Sequence, residues 1–163
     1  MRLLLHELCS MHPPLRGHPT DLSKCGGLAL QRAGHTSPVL AGIDHDGLEA
    51  IAEIEWLSQG LTILEVLDSN RVTEDGAEAV ALSYANSKAG WIVKRRLQRG
   101  ESADWLLFNE VGWLALEVSG MISGDPLTRL KEKQQQVARC SLPTDRLAVV
   151  VAFDRPLIMA SSP

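Results

Sequence analysis

Ala103-Asp104-Trp105-Leu106-Leu107-Phe108-Asn109-Glu110-Val111-Gly112-Trp113-Leu114-Ala115-Leu116-Glu117-Val118-Ser119-Gly120 sets two carboxylates among apolar residues at strand spacing. Alternation puts Asp104, Leu106 and Phe108 on one face of a first strand, and Trp113, Ala115, Glu117 and Ser119 on one face of a second, with a short turn from Asn109 to Gly112 between them. If the two faces coincide, Asp104 and Glu117 can reach one point in space. An ionised carboxylate on an apolar strand is costly unless compensated, and a hard divalent cation is a compensation that also brings chemistry.

Upstream, Trp91–Leu97 reads as another strand, in which Lys94, Arg95 and Arg96 are consecutive and Arg99 extends the cluster. Such a run either protects a sheet edge from aggregation or meets phosphates. Before it, Thr73 as N-cap, with Glu74 and Asp75 in the first turn, predicts a helix whose stripe is Ala77, Val80, Ala81, Tyr84 and Ala85 and which Gly90 closes. Glu78 lies beside that stripe. Downstream, Asp125 as N-cap and Pro126 at the first position open a second helix. Leu127, Leu130, Gln134 and Val137 form its stripe, Gln134 interrupts it, and Lys131, Lys133 and Arg139 give it a basic side. The apolar run within Arg146–Phe153 predicts a strand buried on both faces, followed by a loose tail.

Residues 1–38 hold four of the five histidines and two of the three cysteines, together with early prolines and Gly26-Gly27. They read as an irregular, partly disordered arm with a short strand around Gly27–Leu30, and His6, Cys9, His12, His18 and Cys25 match no zinc-ligand spacing well. Residues 39–72 read as a β-hairpin extension, with a helical start over Leu48–Leu57 as the alternative. Ala50, Ala52, Ile54 and Trp56 share one face opposite Glu53 and Glu55, a turn follows at Ser58-Gln59-Gly60, and Leu61, Ile63, Leu64 and Val66 begin the second strand. Residues 73–163 then form the core.

A chain of 163 residues, 45% hydrophobic and 22% charged, can bury a core without disulfides. Its net charge of -4 gives no support to nucleic-acid binding, so that inference rests on the local basic cluster. Three cysteines and the absence of a secretory pattern at the start predict a cytoplasmic protein without a membrane segment. No internal repeat is evident.

From Thr73 the predicted order is helix, three strands, helix, strand. That order, with an acid opening the second strand and Glu117-Val118-Ser119 near the end of the third, resembles the PD-(D/E)XK nuclease superfamily over residues 73–153. The resemblance implies an α/β (α+β) fold with a restriction-endonuclease-like core. It makes Asp104 the first metal-binding acid, preceded by Ala103 instead of proline, and Glu117 the second. Glu78 would be the acid carried on the first helix, and the Val118 carbonyl a further metal ligand. It implies Mg2+, or Mn2+, which would activate water for attack on a DNA phosphodiester.

Ser119 stands where the family usually has lysine, and a hydroxyl does not supply the positive charge used in the transition state. By position Lys131, Gln134 and Arg95 are candidate substitutes, while Lys94, Arg95, Arg96 and Arg99 would approach the DNA backbone. The alternative is a catalytically degenerate relative that binds nucleic acid or a protein partner within a larger assembly such as a defence system, as a monomer or homodimer.

Overall fold

The computed structural model describes residues 1–60 and 67–163. Leu61, Ile63, Leu64 and Val66, expected as a hairpin strand, lie outside them. The described strands are β1 (Arg2–Leu4), β2 (Val39–His45), β3 (Leu48–Glu55), β4 (Ile92–Arg96), β5 (Trp105–Phe108), β6 (Trp113–Met121), β7 (Asp145–Ala152) and β8 (Leu157–Ser161). The helices are α1 (Leu8–Met11), α2 (Leu22–Arg32), α3 (Ser69–Ala89) and α4 (Pro126–Val137). All eight strands join one mixed sheet in the order β1-β3-β2-β8-β7-β6-β5-β4, which gives the mixed α/β class expected.

Alternation along the strands divides the core in two. Trp105, Leu107, Leu114, Leu116, Val118, Leu147, Val149 and Val151 face α2 and α3, whereas Ala115, Ala148, Val150 and Met159 face α4. Parallel pairing of β6 with β7 over Leu114–Met121 places these central strands between both helical layers, as the continuous apolar run of β7 predicts. The expected caps form at α4, where Asp125 accepts from the Leu127 and Thr128 amides and Pro126 occupies the first turn. Gly90, at φ 67, ends α3 in the left-handed region.

Three boundaries differ from expectation. Helix α3 starts earlier, capped by Asp68 through the Arg71 amide; Thr73 is inside it, with its hydroxyl donating to the Ser69 carbonyl. The hairpin that does form is β2–β3, turning at Asp46-Gly47, both with positive φ. Of the expected apolar face, Ala52, Ile54 and Trp56 are buried while Ala50 is exposed near the turn, and Glu53 and Glu55 pair with Arg2. Residues 157–161, expected in a loose tail, are β8, whose position between β2 and β7 joins the N-terminal and C-terminal parts of the sheet.

Residues 1–38 are not an irregular arm, and Gly27–Leu30, expected as a short strand, is helical within α2. Leu3, Leu5, Leu8, Leu15, Leu22, Leu28 and Leu30 are buried in the α2–α3 side of the core. The Gly26-Gly27 pair belongs to α2 because both positions need close packing: a Cβ on Gly26 would lie 2.8 Å from Leu5 Cδ1, and one on Gly27 would lie 2.6 Å from Trp56 Cδ1. His12 is fully buried and couples α3 to β4, its Nδ1 accepting from the Val93 amide at 3.1 Å and its Nε2 lying 3.1 Å from the Leu82 carbonyl. That arrangement makes Nε2 the protonated nitrogen of a neutral ring, and burial holds its pKa down at about 4.

Candidate functional site

The pairing of β5 with β6 brings the two acids together. Trp105 lies opposite Leu116, so the next antiparallel step sets Asp104 against Glu117, and the Asp104 amide donates to the Leu116 carbonyl at 2.9 Å. Alternation points Glu117 and Ser119 to the α4 side of the sheet with Ala115, and Asp104 to the same side with Leu106.

Beyond Trp105 the β5 ladder ends, and the free edge of β6 is satisfied by side chains. Asp104 Oδ2 accepts from the Val118 amide at 2.8 Å, and Glu74 Oε2 accepts from the Gly120 amide at 3.0 Å. Because the amide and carbonyl of one strand residue point the same way, the Val118 carbonyl faces this open edge as well.

Glu117 is 1% exposed. Its Oε1 accepts from Lys133 Nζ at 2.6 Å, while Oε2 is buried without a hydrogen-bond partner. Burial, and after it the neighbouring Asp104 charge, raise the Glu117 pKa well above the ordinary carboxylate range, against the pull of Lys133. Lys133 balances the charge of Glu117 but satisfies only one of its two oxygens.

Lys133 is the cation that sequence reasoning did not select. Lys131 is exposed, and Gln134 is turned to another task, its Nε2 donating to Ser161 Oγ at 2.6 Å, which in turn donates to Asp46 Oδ1. Arg95 is held by Glu101 through two hydrogen bonds of 2.9 and 2.7 Å. Ser119 is buried on the α4 side beside Glu117. The positions of α4 were readable as a basic side, but which lysine meets Glu117 depends on how the helix is rotated over the sheet.

Glu78 is on α3, across the sheet from Glu117, and does not complete a three-acid cluster. Arg96 grips it with bonds of 2.9 and 2.8 Å, and the guanidinium lies over the Trp105 ring at 4.9 Å. Burial raises the Glu78 pKa to about 7, outweighing the hydrogen bond and charge of Arg96. For Arg96 the balance is reversed: burial lowers its pKa, and Glu78 more than restores it. The asymmetry follows from exposure, since the carboxylate side chain is 7% exposed and the guanidinium side chain 46%. Among the described residues no group of three or more His, Cys, Asp or Glu side chains converges as a metal cage. The oxygen donors that the β5–β6 edge does bring together are Asp104, Glu117 and the Val118 carbonyl.

The basic strand β4 is the sheet edge, with a bulge at Lys94 between Val93 and Arg95. Arg95 and Arg96 are tied to Glu101 and Glu78, whereas Lys94 is exposed and Arg99 is exposed in the following loop. Among the described residues, no helix is long and apolar enough to cross a membrane. Scans against family models, curated proteins and solved structures each return no match to this chain.

Proposed function

We propose that the open edge of β6 is a metal-dependent phosphodiesterase site of the restriction-endonuclease-like kind, acting on DNA. The observation that carries this reading is the orphaned Oε2 of buried Glu117, opposite Asp104 and beside the free edge where the Val118 carbonyl faces. Two carboxylates and a carbonyl are hard oxygen donors suited to Mg2+ or Mn2+, which when bound would supply Lewis-acid stabilisation of the phosphoryl oxygens.

The chain's own residues do the rest. Asp104 is oriented by the Val118 amide, so its second oxygen is left for the site. Lys133 supplies, from α4, the positive charge that Ser119 lacks, at 2.6 Å from Glu117. Lys94 and Arg99, at the edge and in the adjoining loop, are the exposed cations available to backbone phosphates.

Plasmid and oligonucleotide cleavage in Mg2+ or Mn2+ tests this reading, with Asp104→Asn, Glu117→Gln and Lys133→Ala beside the native protein. Each substitution should lower the rate by roughly a hundredfold or more. Cleavage that survives Asp104→Asn and Glu117→Gln would exclude the site.

A second reading is a non-catalytic subunit of the same architecture, binding nucleic acid or a protein partner, as a monomer or a homodimer. It draws on the ion pairs Glu78–Arg96 and Glu117–Lys133, which compensate the buried acids without any metal. Calorimetric titration with Mn2+ separates the two, since this reading expects no metal binding that depends on Glu117.

A further inference from the structure

We propose that Phe108 and Trp113 form a base-stacking platform that guides a single-stranded DNA segment toward the Asp104–Glu117 pair; the assignment of substrate rests on the phosphodiesterase reading above. The two aromatic residues lie directly opposite each other across β5 and β6, with ring centroids 5.8 Å apart and planes inclined at 43°. Both are open to solvent, Phe108 at 37% and Trp113 at 45%, whereas Trp105 and Trp56 are core residues at 2% and 4%. Cross-strand packing accounts for the mutual contact. It does not account for leaving so much of two aromatic faces wet on the side of the sheet that carries the acids.

Register gives the platform a direction. On the α4 side of the sheet, Ile92, Phe108 and Trp113 form one row across the strands, Arg95, Leu106 and Ala115 the next, and Asp104 with Glu117 the third. Glu117 lies four residue steps along β6 from Trp113, a rise of about 13 Å. At a stacked rise of about 3.4 Å per nucleotide this corresponds to about four nucleotides, and fewer if the strand is drawn out.

Arg95 occupies the middle row paired with Glu101, and the exposed cations beside it are Lys94 at the bulge of β4 and Arg99 in the loop that follows. An aromatic face, a positively charged edge beside it and a pair of acids beyond match the order of base, phosphate and scissile phosphate along one strand. Stacking platforms flanked by cations recognise single strands because unpaired bases expose their faces, which a duplex hides. The substrate class is therefore a single-stranded segment, such as a loop, a flap or a frayed end.

Binding of a short oligothymidylate to the full chain, in EDTA so that no cleavage intervenes, tests this inference through tryptophan fluorescence and anisotropy. Native protein should bind single strands with quenching of Trp113, and should bind a duplex or an abasic strand of equal length more weakly. Trp113→Ala should weaken single-strand binding roughly tenfold or more, and Trp113→Phe should retain most of it. Circular dichroism confirms that each variant is folded. Equal affinity of native protein and folded Trp113→Ala, or no preference for single strands, would overturn the platform even if Mg2+-dependent cleavage is intact. Trp113-dependent binding without cleavage would instead support the platform and remove the hydrolytic reading.

Discussion

Lys133 and Glu117 show how much one side chain decides in this protein. Removing the ammonium leaves a carboxylate that is 1% exposed with no cation, while removing both charges leaves two groups that can be accommodated without ions. Lys133→Met should therefore destabilise the fold by about 2 kcal/mol or more, and Glu117→Gln/Lys133→Met should recover most of that loss. Urea unfolding of the four forms measures the coupling, and additive effects would mean that the pair is not energetically linked.

Glu78 makes a pH-dependent contribution of definite sign. Its pKa is about 7 in the folded state against an ordinary 4.5, so the folded protein holds that proton more tightly than the unfolded chain does. The stability this confers is present below pH 4.5 and is lost as pH rises through about 7. The shift corresponds to a few kcal/mol at most, on the order of 3, by the usual conversion. Between pH 5 and 8 the native protein should lose stability that Glu78→Gln does not, and parallel curves for the two would contradict the assignment.

Gly120 shows the same dependence at the level of elements. A Cβ there would lie 2.3 Å from the Thr73 carbonyl oxygen and 3.0 Å from Ala77 Cβ, so β6 approaches α3 at a distance only glycine permits. The obstacle is backbone, which cannot rotate away. Gly120→Ala should cost about 3 kcal/mol and disturb the Glu74 bond to the residue 120 amide, read as a lowered Tm and a loss of amide protection at the end of β6. An unchanged Tm would show that the helix can shift freely.

The elements that carried their own signals were legible beforehand. Strands β4, β5, β6 and β7 announce themselves by alternation or by an apolar run, and α4 by its cap and proline. Helix α2 was hidden because Gly26 and Gly27 read as breakers, when their reason for being glycine is contact with Leu5 and Trp56, residues distant in the chain. Strand β2 and its Asp46-Gly47 turn are not read from the sequence, because β2 keeps no clean alternation: Leu40, on its outer face, is apolar yet 65% accessible.

At the scale of the whole molecule, the N-terminal segment is part of the core. Seven of its leucines are buried, and fully burying a leucine contributes about 1.5–3 kcal/mol, so their sum, roughly 10–20 kcal/mol, is of the same size as the roughly 5–15 kcal/mol by which a domain is usually stable. Deleting residues 1–38 should abolish cooperative unfolding, as followed by near-ultraviolet circular dichroism and urea titration. A truncated chain that unfolds cooperatively with the native midpoint would restore the arm interpretation.

What the sequence by itself determined is the local grammar: which segments alternate, where α4 begins, and that Asp104 and Glu117 can share a face, because spacing sets side-chain direction within a strand. Tertiary structure alone decided which charges meet. Lys133 and not Lys131 or Gln134 reaches Glu117, Arg96 takes Glu78 on the opposite, α3 side of the sheet, and His12 joins α3 to β4, since each contact depends on how helices rest on the sheet rather than on any period in the chain. The same packing left Glu117 Oε2 without a partner, a feature that no spacing rule could reveal because it is a property of what surrounds the atom.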